Sequence, residues 1–226
     1  MCLNQHQPVN EVCNQLDDDC DGLPDEELHA HEKVDMVFVL DRSGSMCQYV
    51  ATLRRGMQPY IQSFIGSQHR FAIVNVPGMI ADGAPADIRV DFSTADVFSN
   101  ILDDWQCNMN AGTEPQYDAV YDIASNAIGL SFRPDAFPMQ VVMTDEEAQT
   151  AIGLVAATVA DILSPCLVGD CGVNDKFEVY AITQAPYIGQ WCAPSDIAKR
   201  CYELYPGISD NVVKSYLDDI FTDVCR

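Results

Sequence analysis

The sequence predicts an α/β domain with a doubly wound, mostly parallel central sheet and helices on both faces. Three observations lead there. From Lys33 onward, apolar β-rich runs alternate with helically spaced segments, which implies parallel pairing and right-handed crossovers in three layers. Apolar residues make up 48% of the 226, enough for the core of one good-sized domain with a small appendage. No internal repeat or low-complexity tract competes with this reading. The chain divides into an acidic, cysteine-containing segment at 1–32 and the α/β domain at 33–226.

The elements follow in order. Residues 34–40 are almost wholly apolar, as in a strand covered on both faces. Val50, Leu53, Met57, Ile61 and Phe64 then recur at helical spacing, predicting a helix over 48–65. Strands are expected at 70–76 and 87–92, joined by the Pro/Gly-rich stretch 77–86. The run Ser93-Thr94-Ala95-Asp96 reads as a cap for a helix over 95–105. A helix over 115–129, a strand at 139–143, a helix over 147–163 and a strand at 177–182 come next. Residues 184–206, with Pro, Gly and two cysteines, leave their element type open. Asp210 is placed to cap a last helix over 212–224.

Twelve basic residues against 34 acidic ones give a net charge of −22. Such a surface repels nucleic acid and anionic membrane, both of which need Lys or Arg to neutralise phosphate, and it attracts cations. No run of about 18 apolar residues is present, so no membrane insertion is expected. Residues 1–32 carry nine carboxylates and no Lys or Arg, a density that costs self-repulsion unless solvated or neutralised by an ion.

Ten cysteines, an even number, argue for disulfides and an oxidising compartment. Zinc is the alternative, but no C-x-x-C occurs and the four histidines are not spaced to complete a site. Cys13/Cys20, Cys166/Cys171 and Cys192/Cys201 are local candidate pairs, and a Cys2–Cys225 bridge would tie the termini. Cys47, beside a loop described next, is expected to be bonded, with Cys107 a candidate partner. A secreted or cell-surface location follows, extracellular or periplasmic. The polar start carries no secretory leader, so export implies a leader already removed or another route.

The chemistry gathers at strand ends, where open α/β sheets bind their ligands. The first strand runs into Asp41-Arg42-Ser43-Gly44-Ser45, a tight loop with one carboxylate and two hydroxyls. Hard oxygens suit Mg2+, although a serine-rich helix cap has the same look. Thr113, in Ala111-Gly112-Thr113-Glu114-Pro115, sits before a predicted helix. Asp145, in Met143-Thr144-Asp145, ends a predicted strand. Three loops thus point Asp41, Ser43, Ser45, Thr113 and Asp145 toward one edge of the sheet.

The segment VDMVFVLDRSGSM at 34–46 resembles the opening of von Willebrand factor A and integrin I domains, whose metal-ion-dependent adhesion site begins D-x-S-x-S. GTEPQYDAV at 112–120 looks like that family's second metal loop, and VVMTDEE at 141–147 like its third. The resemblance is clear over 33–183 and rests on order of elements beyond. It implies Mg2+ (or Mn2+) held directly by Ser43, Ser45 and Thr113, with Asp41 and Asp145 acting through water and a partner's carboxylate in the open position. One departure is that Asp145 precedes Glu146-Glu147 where the family often has Gly. These acids read either as an adjacent cation site or, preferably, as the solvated first turn of a helix.

Asp17, Asp19, Asp21 and Asp25, with Gly22 between them, match positions 1, 3, 5, 9 and 6 of an EF-hand loop, and Leu23 would offer its carbonyl at position 7. Position 12 is Leu28, so the bidentate glutamate is missing. With Cys13 and Cys20 flanking it, the segment resembles the short Ca2+ loops of thrombospondin type 3 and dockerin modules. His29 and His31 read as incidental, and Trp105 and Trp191 as packing residues.

The function expected is a non-catalytic, metal-dependent adhesion or recognition module. Its partner would be a protein or glycan ligand offering a carboxylate. The alternative is a calcium-stabilised structural subunit of a surface fibre or extracellular matrix, with possible self-assembly. A hydrolase using Ser43 or Ser45 fares worse, since no G-x-S-x-G surrounds either serine.

Overall fold

A computed structural model describes residues 33–76, 86–102, 105, 114–163, 177–193 and 197–224. Six strands form one mixed, mostly parallel sheet: β1 (Val34–Asp41), β2 (Arg70–Val76), β3 (Asp87–Thr94), β4 (Phe137–Met143), β5 (Glu178–Thr183) and β6 (Arg200–Glu203), in the order β3-β2-β1-β4-β5-β6. Every neighbouring pair is parallel except β2–β3. The expected α/β class is therefore the one observed. β3 runs antiparallel at the edge, and the ten residues separating it from β2 are fewer than a parallel crossover needs.

The helices are α1 (Cys47–Gln62), α2 (Ala95–Ile101), α3 (Gln116–Ala124), α4 (Ala156–Leu163), α5 (Ile188–Trp191) and α6 (Asp210–Val224). Alternation along β1 divides the core in two. Met36, Phe38 and Leu40 face α1, α2 and α6, whereas Val37 and Val39 face the layer of α3, α4 and α5. Gly56 lets α1 approach α6: a Cβ there would lie 2.5 Å from the Cβ of Val213.

Two expectations are corrected. The helix predicted over 147–163 begins only at Ala156, and residues 145–155 form a loop. Side chains of α3 capture that loop's backbone N–H groups, and Gly153 adopts φ 79°, so tertiary bonding overrides the helical apolar spacing. The solvated first helical turn expected at Glu146-Glu147 accordingly does not exist. The open stretch 184–206 contains α5 and the edge strand β6, held together by the Cys192–Cys201 disulfide. Four residues with two charges carry too little period-2 signal to reveal such a strand.

β1 is the switch point of the winding, since the chain builds outward to β2 and β3 on one side and then to β4, β5 and β6 on the other. The crevice at the carboxyl ends of β1 and β4 is where ligands bind in this architecture.

Candidate metal centre

Asp41 closes β1 and is almost fully buried, at 1% exposure. One carboxylate oxygen accepts the backbone N–H of Ser43 at 2.7 Å, an interaction that bends the chain into the turn after the strand. The other accepts the Thr144 hydroxyl at 2.7 Å. The hydroxyls of Ser43 and Ser45 lie 2.8 Å apart. The Ser45 hydroxyl donates to Asp145 at 2.9 Å and lies 3.2 Å from Glu146 Oε1. Four residues read from the sequence, Asp41, Ser43, Ser45 and Asp145, thus converge at the end of β1 and β4. Ser45 is exposed while the other three are buried, so the cluster opens to solvent on the Ser45 side. Thr113 lies outside the described residues.

Burial pushes the Asp41 carboxyl up to about 6. The hydrogen bonds from Thr144 and Ser43 oppose that rise, and the charge of Asp145 adds to it. Asp145 is raised by burial, opposed by the Ser45 hydrogen bond and reinforced by Glu146. Glu114, which follows Thr113, is pushed up by burial, by its hydrogen bond with Glu146 and by the charges of Asp41, Glu146 and Asp145. The leading influences on these three acids are burial, hydrogen bonds and the charges of neighbouring acids. The site gathers carboxylates under desolvation, where their charges repel one another.

The donor set is hard oxygen throughout, the chemistry that Mg2+ and Mn2+ favour. Among the described residues no three His, Cys, Asp or Glu side chains are spaced to hold a metal by themselves, so an ion here would depend on the serine hydroxyls. That is the donor mixture of a lightly charged site rather than of a carboxylate cage.

Several supporting residues were not singled out in the sequence. Gln116, 1% exposed at the start of α3, donates to the Thr144 hydroxyl at 3.1 Å and accepts the Gln149 N–H at 3.1 Å. Gln149 accepts the Glu114 N–H at 3.2 Å and donates to Glu146 at 3.3 Å. Asp118, fully buried, accepts the N–H groups of Ala151 at 2.7 Å and Ile152 at 3.3 Å, together with the Thr150 hydroxyl. Polar residues at the start of a helix read as solvated by default. Only contacts across some 30 positions of sequence show that these are buried braces.

Trp191 and Trp105 are packed inside, at 0% and 4% exposure, and Trp191 meets Tyr117 edge-on at 5.3 Å. Cys47 is disulfide-bonded, and Cys107 lies outside the described residues. So do Asp17, Asp19, Asp21, Leu23 and Asp25 of the expected Ca2+ loop, His29 and His31, and the other local cysteine pairs.

No family model matches the chain, and no curated protein matches its sequence. Among solved structures, it is similar to proximal thread matrix protein 1 from the mussel byssus, with a TM-score of 0.57 at 15% identity. The likeness is one of fold. It covers 87% of this chain and 49% of that one, so this chain spans about half the length of the structure it matches. The six-stranded, three-layer arrangement is consistent with a von Willebrand factor A-like fold.

Proposed function

We propose that the chain is a secreted recognition module that holds a divalent cation, Mg2+ or Mn2+, through Asp41, Ser43, Ser45, Thr113 and Asp145, and does no catalysis. The observation that carries this reading is the Ser45–Asp145 hydrogen bond, which joins two strand-end loops 100 positions apart into one oxygen-lined cluster beside buried Asp41. Bound there, the ion would supply an electrophilic position for a partner's carboxylate. Burial of mutually repelling acids supports the same reading, because a divalent ion would relieve the repulsion among Asp41, Asp145 and Glu114. The Cys192–Cys201 disulfide supports secretion. Among the described residues no helix is long and apolar enough to cross a membrane.

The test is calorimetric titration of the chain with Mg2+ and Mn2+, repeated on Asp41→Ala. Saturable binding to the wild type that the variant loses is expected. Binding that ignores the substitution would remove the centre from the mechanism.

A second reading, a structural subunit of an extracellular assembly stiffened by Ca2+ at Asp17–Asp25, is favoured by the fold shared with a protein named as a byssal thread matrix component. Light scattering with and without Ca2+ separates the two. Filaments that require Ca2+ but tolerate Asp41→Ala support the structural role.

A further inference from the structure

The loop at 145–155 starts at the metal centre and ends in an apolar tip. Ile152 is 68% exposed and Val155 60%, two of the largest apolar exposures among the described residues. Isolated exposed aliphatics are ordinary. These two differ because the protein holds their loop rigidly from beneath. The buried Asp118 carboxylate accepts the N–H groups of Ala151 and Ile152 and the Thr150 hydroxyl, and that hydroxyl in turn accepts the Leu154 N–H at 2.9 Å. Gln190 receives the Ala148 N–H at 2.5 Å, and Gly153 supplies the left-handed turn at φ 79°. A buried carboxylate spending its acceptors on an apolar surface turn gives the core little, whereas it presents that turn in one conformation.

The base of the loop is part of the centre. Gln149 bonds both Glu114 and Glu146, and Ile152 follows three residues later, at most about 11 Å along the chain. A peptide with its carboxylate at the centre would carry a side chain two or three positions away over that distance. Charge narrows the choice further. Glu114 and Glu146 flank the cluster on a chain of net charge −22, so a partner bearing many acids meets repulsion at every acid except the one it offers.

We infer that Ile152 and Val155 form the second contact of the metal centre, and that its partner is a protein segment with one acidic residue flanked within three positions by an apolar side chain, rather than an acidic glycan. This rests on the metal-centre reading above.

The test uses the whole chain and a displayed peptide library with one fixed Asp and neutral neighbours, selected in Mg2+, alongside oligogalacturonate as the glycan probe. Enrichment of Leu, Ile or Phe within three positions of the Asp is expected. A selected peptide should bind about tenfold more tightly than its Ser-flanked version. The double variant Ile152→Ser/Val155→Ser should erase that difference while leaving the Mg2+ affinity and melting temperature unchanged. Retained preference in the double variant, no apolar enrichment, or tighter binding of oligogalacturonate would overturn the inference. Mg2+ titration of the chain alone distinguishes the two failures: if Mg2+ binds, only the apolar contact falls, and if it does not, the metal-centre reading falls with it.

Discussion

Asp35 and Asp41 stand at opposite ends of the same central strand, both buried, and their surroundings are opposite. Asp35, fully buried, is gripped by two arginines: Arg70 at 3.0 and 2.7 Å, and Arg133 at 3.0 and 2.7 Å, with the Arg133 N–H adding a bond at 2.8 Å. Arg133 also donates to the carbonyls of Gln68 and Val34, tying the ion pair to the backbone. Asp41 instead accepts from a hydroxyl and an amide, and the charge of Asp145 adds to the rise that burial imposes on it. The amino edge of the sheet is a neutralised, finished structure. At the carboxyl edge Asp41, Asp145 and Glu114 repel one another under burial, a cost that a cation from outside would relieve.

The largest effect should come from the finished end. Asp35→Ala strands two partly buried guanidinium groups and should cost about 3–5 kcal/mol in urea unfolding. Arg70→Met, which leaves Arg133 in place, should cost clearly less. Equal costs would mean that Arg133 does not hold the carboxylate by itself.

At the other end the same kind of change should behave in reverse. Without metal, Asp41→Asn removes a charge that burial disfavours, so unfolding free energy should change by less than about 1 kcal/mol. Mg2+ affinity should instead fall about a hundredfold or more, a loss of about 2.7 kcal/mol. Wild-type protein at a hundredfold excess of Mg2+ over its Kd should gain about 2.7 kcal/mol of stability, reversed by EDTA and absent in Asp41→Asn.

A pH effect sharpens the contrast, because the one described histidine sits at the finished end. His69 accepts the Val34 N–H through Nδ1 at 3.1 Å and packs against Phe64 and Phe221. Burial lowers it to about 4, the charge of Arg133 adds to that, and Asp35 opposes it. Between about 4 and 6.5 the unfolded chain binds a proton that the folded chain refuses, so stability rises with pH through that window. The contribution is complete above 6.5 and lost as pH falls toward 4, by about 3 kcal/mol. The difference in stability between wild type and His69→Gln should follow that window in denaturant titrations at stepped pH.

The smallest effect belongs to the surface. Lys214 and Asp218 pair at 2.7 Å one turn apart on α6, both partly exposed. Lys214→Ala should change stability by no more than about 0.5 kcal/mol, and less in high salt.

The α/β class, the first three strands, the last helix and the D-x-S-x-S turn were legible in the sequence because each is written locally. A nearly unbroken apolar run from Val34 marks a strand buried on both faces, and the Asp-Arg-Ser-Gly-Ser loop marks where it turns. The loop at 145–155 was not legible, since its apolar spacing is helical and only the carboxylate of Asp118, brought in by another helix, draws its N–H groups away. β6 was hidden for a related reason: its partner strand and the disulfide that secures it make up for a weak local pattern.

The same division runs through the candidate centre. Local sequence named Asp41, Ser43, Ser45 and Asp145, because hydroxyls and carboxylates in turns after apolar runs are conspicuous. It named Asp17–Asp25 by spacing alone. It was silent on Gln116, Gln149, Asp118 and Thr144, ordinary polar residues until the fold buries them. It singled out Asp41 but was silent on Asp35, near the start of the same run. Its surroundings need long-range charge placement: two arginines from distant segments converge on Asp35.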